Sequence, residues 1–445
     1  MRDGHPLEVA VGMEVYSTNF DGVGGKLKTR FEDFIVEEIK PTGEILRTQE
    51  WSSSNAKHHV EGERDRYISF TLQKMGLSTF DVSRILGSAL KIPSNFITYA
   101  GLKDKRAITA QAMSIPSRFY DALKSLNLSN IALRDLKYSH HPVRIGDLWG
   151  NRFQILLRGL NVDCEEAVEK INPINTTPLL NYFGIQRFGV VRPNTYLVGL
   201  SLVKRKYEEA IHYLLTTTSE YESQELTEVR QKLANDLTPT EKIIDLFPKD
   251  LRYEKSVMKY LIKHENDYKG AISKIPPRVL TIFVHSFQSY IFNRLISLRA
   301  KKGLPIQEPI PGDFIIQLDE THSGRDSWLF VTEAKLEERL EQVKKGEYAL
   351  ASPIPGYATK IPESRQSELL SKILNDENVN LRDFRNAENR YLDSPGGLHL
   401  VSININNPRT ECTKEGLRFS FSLRKGSYAT IVMREIMKNN PINRV

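Results

Sequence analysis

The chain runs to 445 residues, more than one ordinary core accommodates, so two domains are the expectation. Hydrophobic residues make up 40% and charged residues 26%, an ordinary globular composition that excludes disorder as the bulk state. The formal net charge is +7, and the two cysteines, Cys164 and Cys412, are too few for a disulfide framework or a cysteine-based zinc site. A reducing cytoplasm fits that count. No apolar run reaches membrane-spanning length and the N-terminus lacks a signal-peptide pattern, so a soluble intracellular chain is expected.

Residues up to about Gly25 are polar and glycine-rich, and the pattern predicts a loose N-terminal arm. Gly22 to Lys26 lacks the Walker spacing and the Ser or Thr after the lysine, which sets a nucleotide-binding loop aside. Leu27-Lys28-Thr29 and Phe34 to Ile39 read as short strands. Arg47 to Arg66, with Ser52-Ser53-Ser54, reads as an exposed loop. From Tyr67 to Lys74 the residues alternate, placing Ile68, Phe70 and Leu72 on one face of a strand. Ser78 or Thr79 can cap the next helix, in which Val82, Ile85, Leu86, Ala89 and Leu90 recur at helical spacing until Pro93 ends it. Phe96 to Tyr99 and Ala107 to Ile115 read as strands flanking a loop. Gln154 to Arg158 adds a strand and Glu165 to Ile171 a helix, and this order predicts a mixed α/β domain.

After about Val190 the texture changes. Residues 200–275 are helix-like and rich in Lys and Glu. Ser286 to Ala300 reads as an amphipathic helix that buries Phe287, Tyr290, Ile291 and Leu295. Glu333 to Lys345 reads as a charged helix and Arg382 to Gly397 as loop. Alternation returns at Leu417, Phe419, Phe421 and Leu423, before a turn at Lys425-Gly426 and a final helix through Met437. The simplest organisation is an α/β domain completed by the C-terminus, with a helical domain inserted in the middle.

The loop Tyr99-Ala100-Gly101-Leu102-Lys103-Asp104-Lys105-Arg106-Ala107 sets one carboxylate among three cations. From Lys91 to Leu160 there are eleven Lys/Arg against four Asp/Glu, so this stretch carries a surplus equal to that of the whole chain. Such density favours a polyanionic partner. A reactive Asp104 within an RNA-binding surface is the sharp reading, and a solvated charged hairpin the bland one. His58-His59 with Glu61, and His140-His141, lack zinc-ligand spacing, so no metal is expected.

Six ordered motifs carry a family resemblance: Lys28 with Phe31 to Glu38, Ala100 to Ala107 with Thr109 and Gln111, Gly150-Asn151-Arg152-Phe153, Asn181 to Gly189, Gln288 to Asn293, and Phe421 to Thr430 with Arg434-Glu435. On these residues the chain resembles the TruD family of RNA pseudouridine synthases, over nearly its whole length. The resemblance implies an isomerase that converts uridine to pseudouridine in tRNA, typically at position 13, without cofactor or metal. It implies the pseudouridine-synthase fold, an α+β arrangement with a mixed, mostly antiparallel sheet. The catalytic domain would comprise residues 1–188 and 396–445, with a mainly helical α/β insertion at 189–395. tRNA is the implied partner, with no membrane and no obligate protein partner indicated.

Asp104 falls on the family's catalytic aspartate, Lys28 on a basic residue that pairs with it, and Phe153 where the family stacks an aromatic ring on the target base. Asn151 is the motif companion of Phe153. Taken by itself, Phe153 at the start of a strand would more readily be a core residue. Lys103, Lys105, Arg106, Arg144 and Arg187 are expected at RNA phosphates, and Phe34, Gln186 and Phe188 around the pocket. A noncatalytic RNA-binding or chaperone protein on the same fold is the competing reading.

Overall fold

The computed structural model describes residues 2–51, 59–124, 126, 128–318 and 327–444. Ser52-Ser53-Ser54 and His58, within the loop expected from Arg47 to Arg66, lie outside the described residues. Nine strands form one mixed sheet. Seven of them run in the order Asn406–Thr413, Gly416–Arg424, Gly150–Leu160, Phe34–Ile39, Ile108–Pro116, Tyr67–Met75 and Ile131–Ser139. Phe34–Ile39 and Ile108–Pro116 pair in parallel, and the other neighbours are antiparallel. Gly24–Lys26 adds to Gly150–Leu160, and the two-residue Thr98–Tyr99 adds to Ile108–Pro116. The C-terminal strand Gly416–Arg424 lies against a strand that ends more than 250 residues earlier, so the two ends of the chain build one sheet.

Alternation sets which face is buried, because successive side chains in a strand point to opposite sides. Phe34 and Val36 share a face with Phe153, Ile155, Phe419 and Phe421, and all six are buried in one apolar cluster. The helix Thr79–Leu90 starts where capping chemistry directs it. Ser78 accepts from the Asp81 backbone N–H, and Asp81 accepts from that of Ser78. It stops at Lys91, which takes a left-handed conformation (φ 56°).

Helices Thr195–Val203, Tyr207–Thr216, Gln224–Asn235, Arg252–Lys263 and Pro277–Lys301 gather around a second apolar cluster. The long helix joins the two cores. Phe287, Ile291 and Leu295 face the helical cluster, while Phe292, Ile296 and Ala300 face the sheet cluster. The sequence pattern did not foresee the four-stranded antiparallel sheet Trp328–Phe330, Phe314–Gln317, Tyr348–Ile354, Gly397–Leu400, nor the helix Arg365–Asp376. Among the described residues, no helix is long and apolar enough to cross a membrane.

Two expectations are corrected. The N-terminal arm is not loose. Val11, Met13, Val15 and Val23 are buried, and Glu8 is locked to Arg434 at 3.0 Å and Arg444 at 2.5 Å in the C-terminal segment. Apolar residues spaced among the glycines and two buried ion pairs of Glu8 hold it down. The cysteines are also not free, because Cys164 and Cys412 are joined in a disulfide across 248 residues of sequence. The Cys164–Ile171 helix packs beside the polar edge strand Asn406–Thr413 and brings them together. Cross-linking distant points restricts the unfolded chain, so Cys164→Ser is expected to lower stability by about 2–4 kcal/mol. Denaturant unfolding of oxidised protein beside the variant measures it, and equal midpoints would contradict the cross-link.

Candidate active site

On the inner face of the sheet the apolar rows give way to a polar patch. Register places Asn151 opposite Glu38, and Lys74 opposite Thr109. Glu38 continues the face of Phe34 and Val36, and Lys74 continues that of Ile68, Phe70 and Leu72. All four of Glu38, Lys74, Thr109 and Gln111 are buried. The 101–106 loop lies across this patch and is tied to it at each step. The Gly101 carbonyl accepts from Gln111 Nε2 at 3.2 Å. The Lys103 backbone N–H donates to Thr79 Oγ1 at 2.9 Å, whose own hydroxyl donates to Gln111 Oε1 at 3.1 Å. The Asp104 carbonyl accepts from Lys74 Nζ at 2.7 Å.

Only the side chains beyond these ties reach outward. The Asp104 side chain is 42% exposed, and Lys28 Nζ stands 3.6 Å from its Oδ2. Lys28 is otherwise enclosed, with 4% of its side chain exposed and its ammonium 4.4 Å above the centre of the Phe34 ring. Its backbone adopts φ +52°, a left-handed conformation unusual for a lysine. Such a conformation persists only where its surroundings impose it, and it aims this cation at Asp104. The strand expected at Leu27-Lys28-Thr29 instead ends at Lys26, which makes room for that turn.

Phe153 is linked to this pair through Phe34, the ring beneath Lys28. It is 6% exposed, stacked on Phe421 at 5.4 Å and edge-on to Phe34 at 6.3 Å. One ring face is therefore already engaged, as a core position would have it. Asn151 lies two residues along the same strand face, and its Oδ1 is buried without a hydrogen-bond partner among the described residues.

The cations divide. Lys105, Arg106 and Arg144 are exposed, the first two directly following Asp104 in the chain. Lys103 is not, and its expected place at RNA phosphates is corrected. Its side chain is 2% exposed and its Nζ is 2.6 Å from Glu38 Oε2, whose other oxygen accepts from the Ala112 N–H. Strand alternation puts the Glu38 carboxylate inside, and only an inward lysine can neutralise it. Arg187 is half-buried, 5.4 Å from the Phe183 ring. Two pocket expectations are also displaced. Phe188 is fully buried against Tyr196, and Gln186 lines a separate small cavity of about 20 Å³ beside Glu8, Met13 and Arg434.

Glu38 and Lys74 were not singled out from sequence. The signal was present, since each puts a charge on the apolar face of an alternating strand. Burial pulls Lys74 down to about 8, against the opposing pull of the Asp104 charge.

A carboxylate held by its own backbone, steadied by an enclosed ammonium over an aromatic ring and followed by exposed cations, suits chemistry on a nucleic-acid base. The model of the TruD family, tRNA pseudouridine synthase D, matches residues 10–436. A "Probable tRNA pseudouridine synthase D" of Methanosarcina acetivorans is 31% identical over 449 residues, covering 98% of each chain. One from Thermococcus sibiricus is 32% identical over 435 residues, covering 96% of this chain and 97% of its own. The crystal structure of a TruD protein from Methanosarcina mazei matches with a TM-score of 0.78 at 30% identity, covering 99% of each chain. Fold and sequence agree over nearly the full length, and the chain belongs to the TruD family of tRNA pseudouridine synthases.

Proposed function

We propose that this chain isomerises uridine to pseudouridine in tRNA, at uridine 13, with Asp104 as the essential carboxylate. The observation that carries the reading is the Lys28–Asp104 pair on a loop anchored at Gly101, Lys103 and Asp104. The reaction breaks the bond from N1 of the base to ribose C1′ and forms one from C5 to C1′. C5 loses a proton and N1 gains one, so atoms and electrons balance without a redox partner. Asp104 serves by attacking C1′ or C6, or by taking the C5 proton, and each route needs an anion at this place. Lys28 orients that anion. The uridine must leave its stack to reach it, and the free edge of Phe153 with the unpartnered Asn151 Oδ1 would line the space it enters. Residues 1–188 and 396–445 would carry the chemistry, with 189–395 shaping the cleft for folded RNA.

The test is carbodiimide labelling and primer extension on unmodified tRNA incubated with the protein alone. A new pseudouridine at position 13 is expected. Modification elsewhere would refute the position, and none on any tRNA with binding intact would favour the noncatalytic reading. Lys105 and Arg106 are expected at phosphates. Reversing both to Glu should weaken binding to all RNA sequences and flatten the dependence of log K on log salt, by about one unit of slope for each phosphate no longer neutralised. An unaltered slope would remove both from the RNA surface.

A further inference from the structure

We infer that Lys74 is a positioning residue for Asp104, a buried strut that sets where the carboxylate stands. The assignment rests on the reading of Asp104 as the reacting group. Lys74 is the penultimate residue of Tyr67–Met75 and is completely buried. Its ammonium donates to the Asp104 carbonyl at 2.7 Å and to the Leu77 carbonyl at 2.6 Å. Leu77 leads directly into the capped helix Thr79–Leu90. One side chain thus clamps the end of a strand, the start of a helix and the backbone of Asp104 itself.

A surface lysine would not be arranged this way. Burying an ammonium is costly unless it is hydrogen-bonded, and here its partners are backbone carbonyls rather than a carboxylate. The charge makes both bonds about twice as strong as neutral ones. The charged groups that bear on Lys74 are Asp104 and Lys103 from the loop and Asp81 from the helix; burial, aided by the Lys103 cation, outweighs the two acids and brings its pKa to about 8. The direction is downward for a lysine, so the charged strut is complete below that pH and is lost as pH rises through it. The neutral amine still donates, but weakly, and Asp104 is then held less firmly.

Four measurements test this. In wild type, turnover should fall on an alkaline limb near pH 8. Lys74→Arg, which stays charged, should keep most of the turnover and move that limb upward. Lys74→Met should lower kcat about ten- to a hundredfold, the scale of an ångström of misplacement, with KM for tRNA within about twofold. An unchanged kcat in folded Lys74→Met, or an Arg variant with the wild-type limb, would overturn the assignment. Hydrogen exchange at residues 101–106 reads the same claim without substrate. Exchange should quicken in Lys74→Met and, for wild type, above pH 8 after correction for intrinsic rates. Equal protection would refute the strut even if the protein proved inactive on RNA, and inactive wild type with a protected loop would count only against the proposed function.

Discussion

Asp104→Asn should abolish turnover, by at least about 10³- to 10⁴-fold, while leaving tRNA binding intact. The substitution keeps shape and removes only the charge. The loop stays in place because its anchors are backbone groups. Gln111 still reaches the Gly101 carbonyl, Thr79 still receives the Lys103 N–H, and Lys74 still reaches the carbonyl of residue 104. Lys28 loses its anion but keeps the Phe34 ring beneath it, so the fold should be little disturbed. Binding carries the more telling sign. Asp104 is the one acid in a run with exposed Lys105 and Arg106, and removing it takes a negative charge away from a surface meant for phosphates. Affinity should hold or rise slightly, with a steeper salt dependence. Quench-flow turnover beside filter binding separates the two effects. Turnover within tenfold of wild type would exclude Asp104 from the chemistry, whereas equal loss of turnover and binding would make it a structural residue.

Much of this was legible in the chain because local rules were obeyed where the sheet is built. Alternation from Tyr67 to Lys74 read directly as a strand, and Ser78 or Thr79 marked a helix start at which the structure shows Ser78 and Asp81 in a reciprocal cap. What stayed hidden depends on pairs far apart in sequence. Cys164 meets Cys412, Glu8 meets Arg434 and Arg444, and Lys103 meets Glu38, and no spacing rule connects such partners. The polar strand Asn406–Thr413 lies at an edge, where one side needs no apolar pattern, so alternation had nothing to detect. The charged run around Asp104 looked uniform as sequence. Folding splits it into a buried lysine serving the loop and exposed cations free to meet a ligand, a distinction that only the direction of each side chain decides.

That distinction gives the second large effect. Lys103→Met should destabilise the protein by about 3–5 kcal/mol, because it leaves Glu38 as an uncompensated buried charge. The Glu38 side chain is fully buried, and its remaining partner is the Ala112 N–H. Adding Glu38→Gln should restore most of the loss, since the amide oxygen can still accept from Ala112 and no charge is left inside. A phosphate-binding lysine behaves differently in every respect. Its loss would leave stability nearly unchanged, weaken RNA binding and lower the salt slope by about one, and no change at Glu38 would rescue it. Denaturant midpoints for the two single variants and the double variant, with salt-dependent binding of each, therefore assign Lys103 without reference to catalysis. A stable Lys103→Met protein with a flattened salt slope would return this residue to the RNA surface. Strong destabilisation, rescue by Glu38→Gln and an unaltered slope would establish that the Lys103–Glu38 pair fastens the Asp104 loop to the sheet, and that the cations meeting RNA are those its backbone leaves outside.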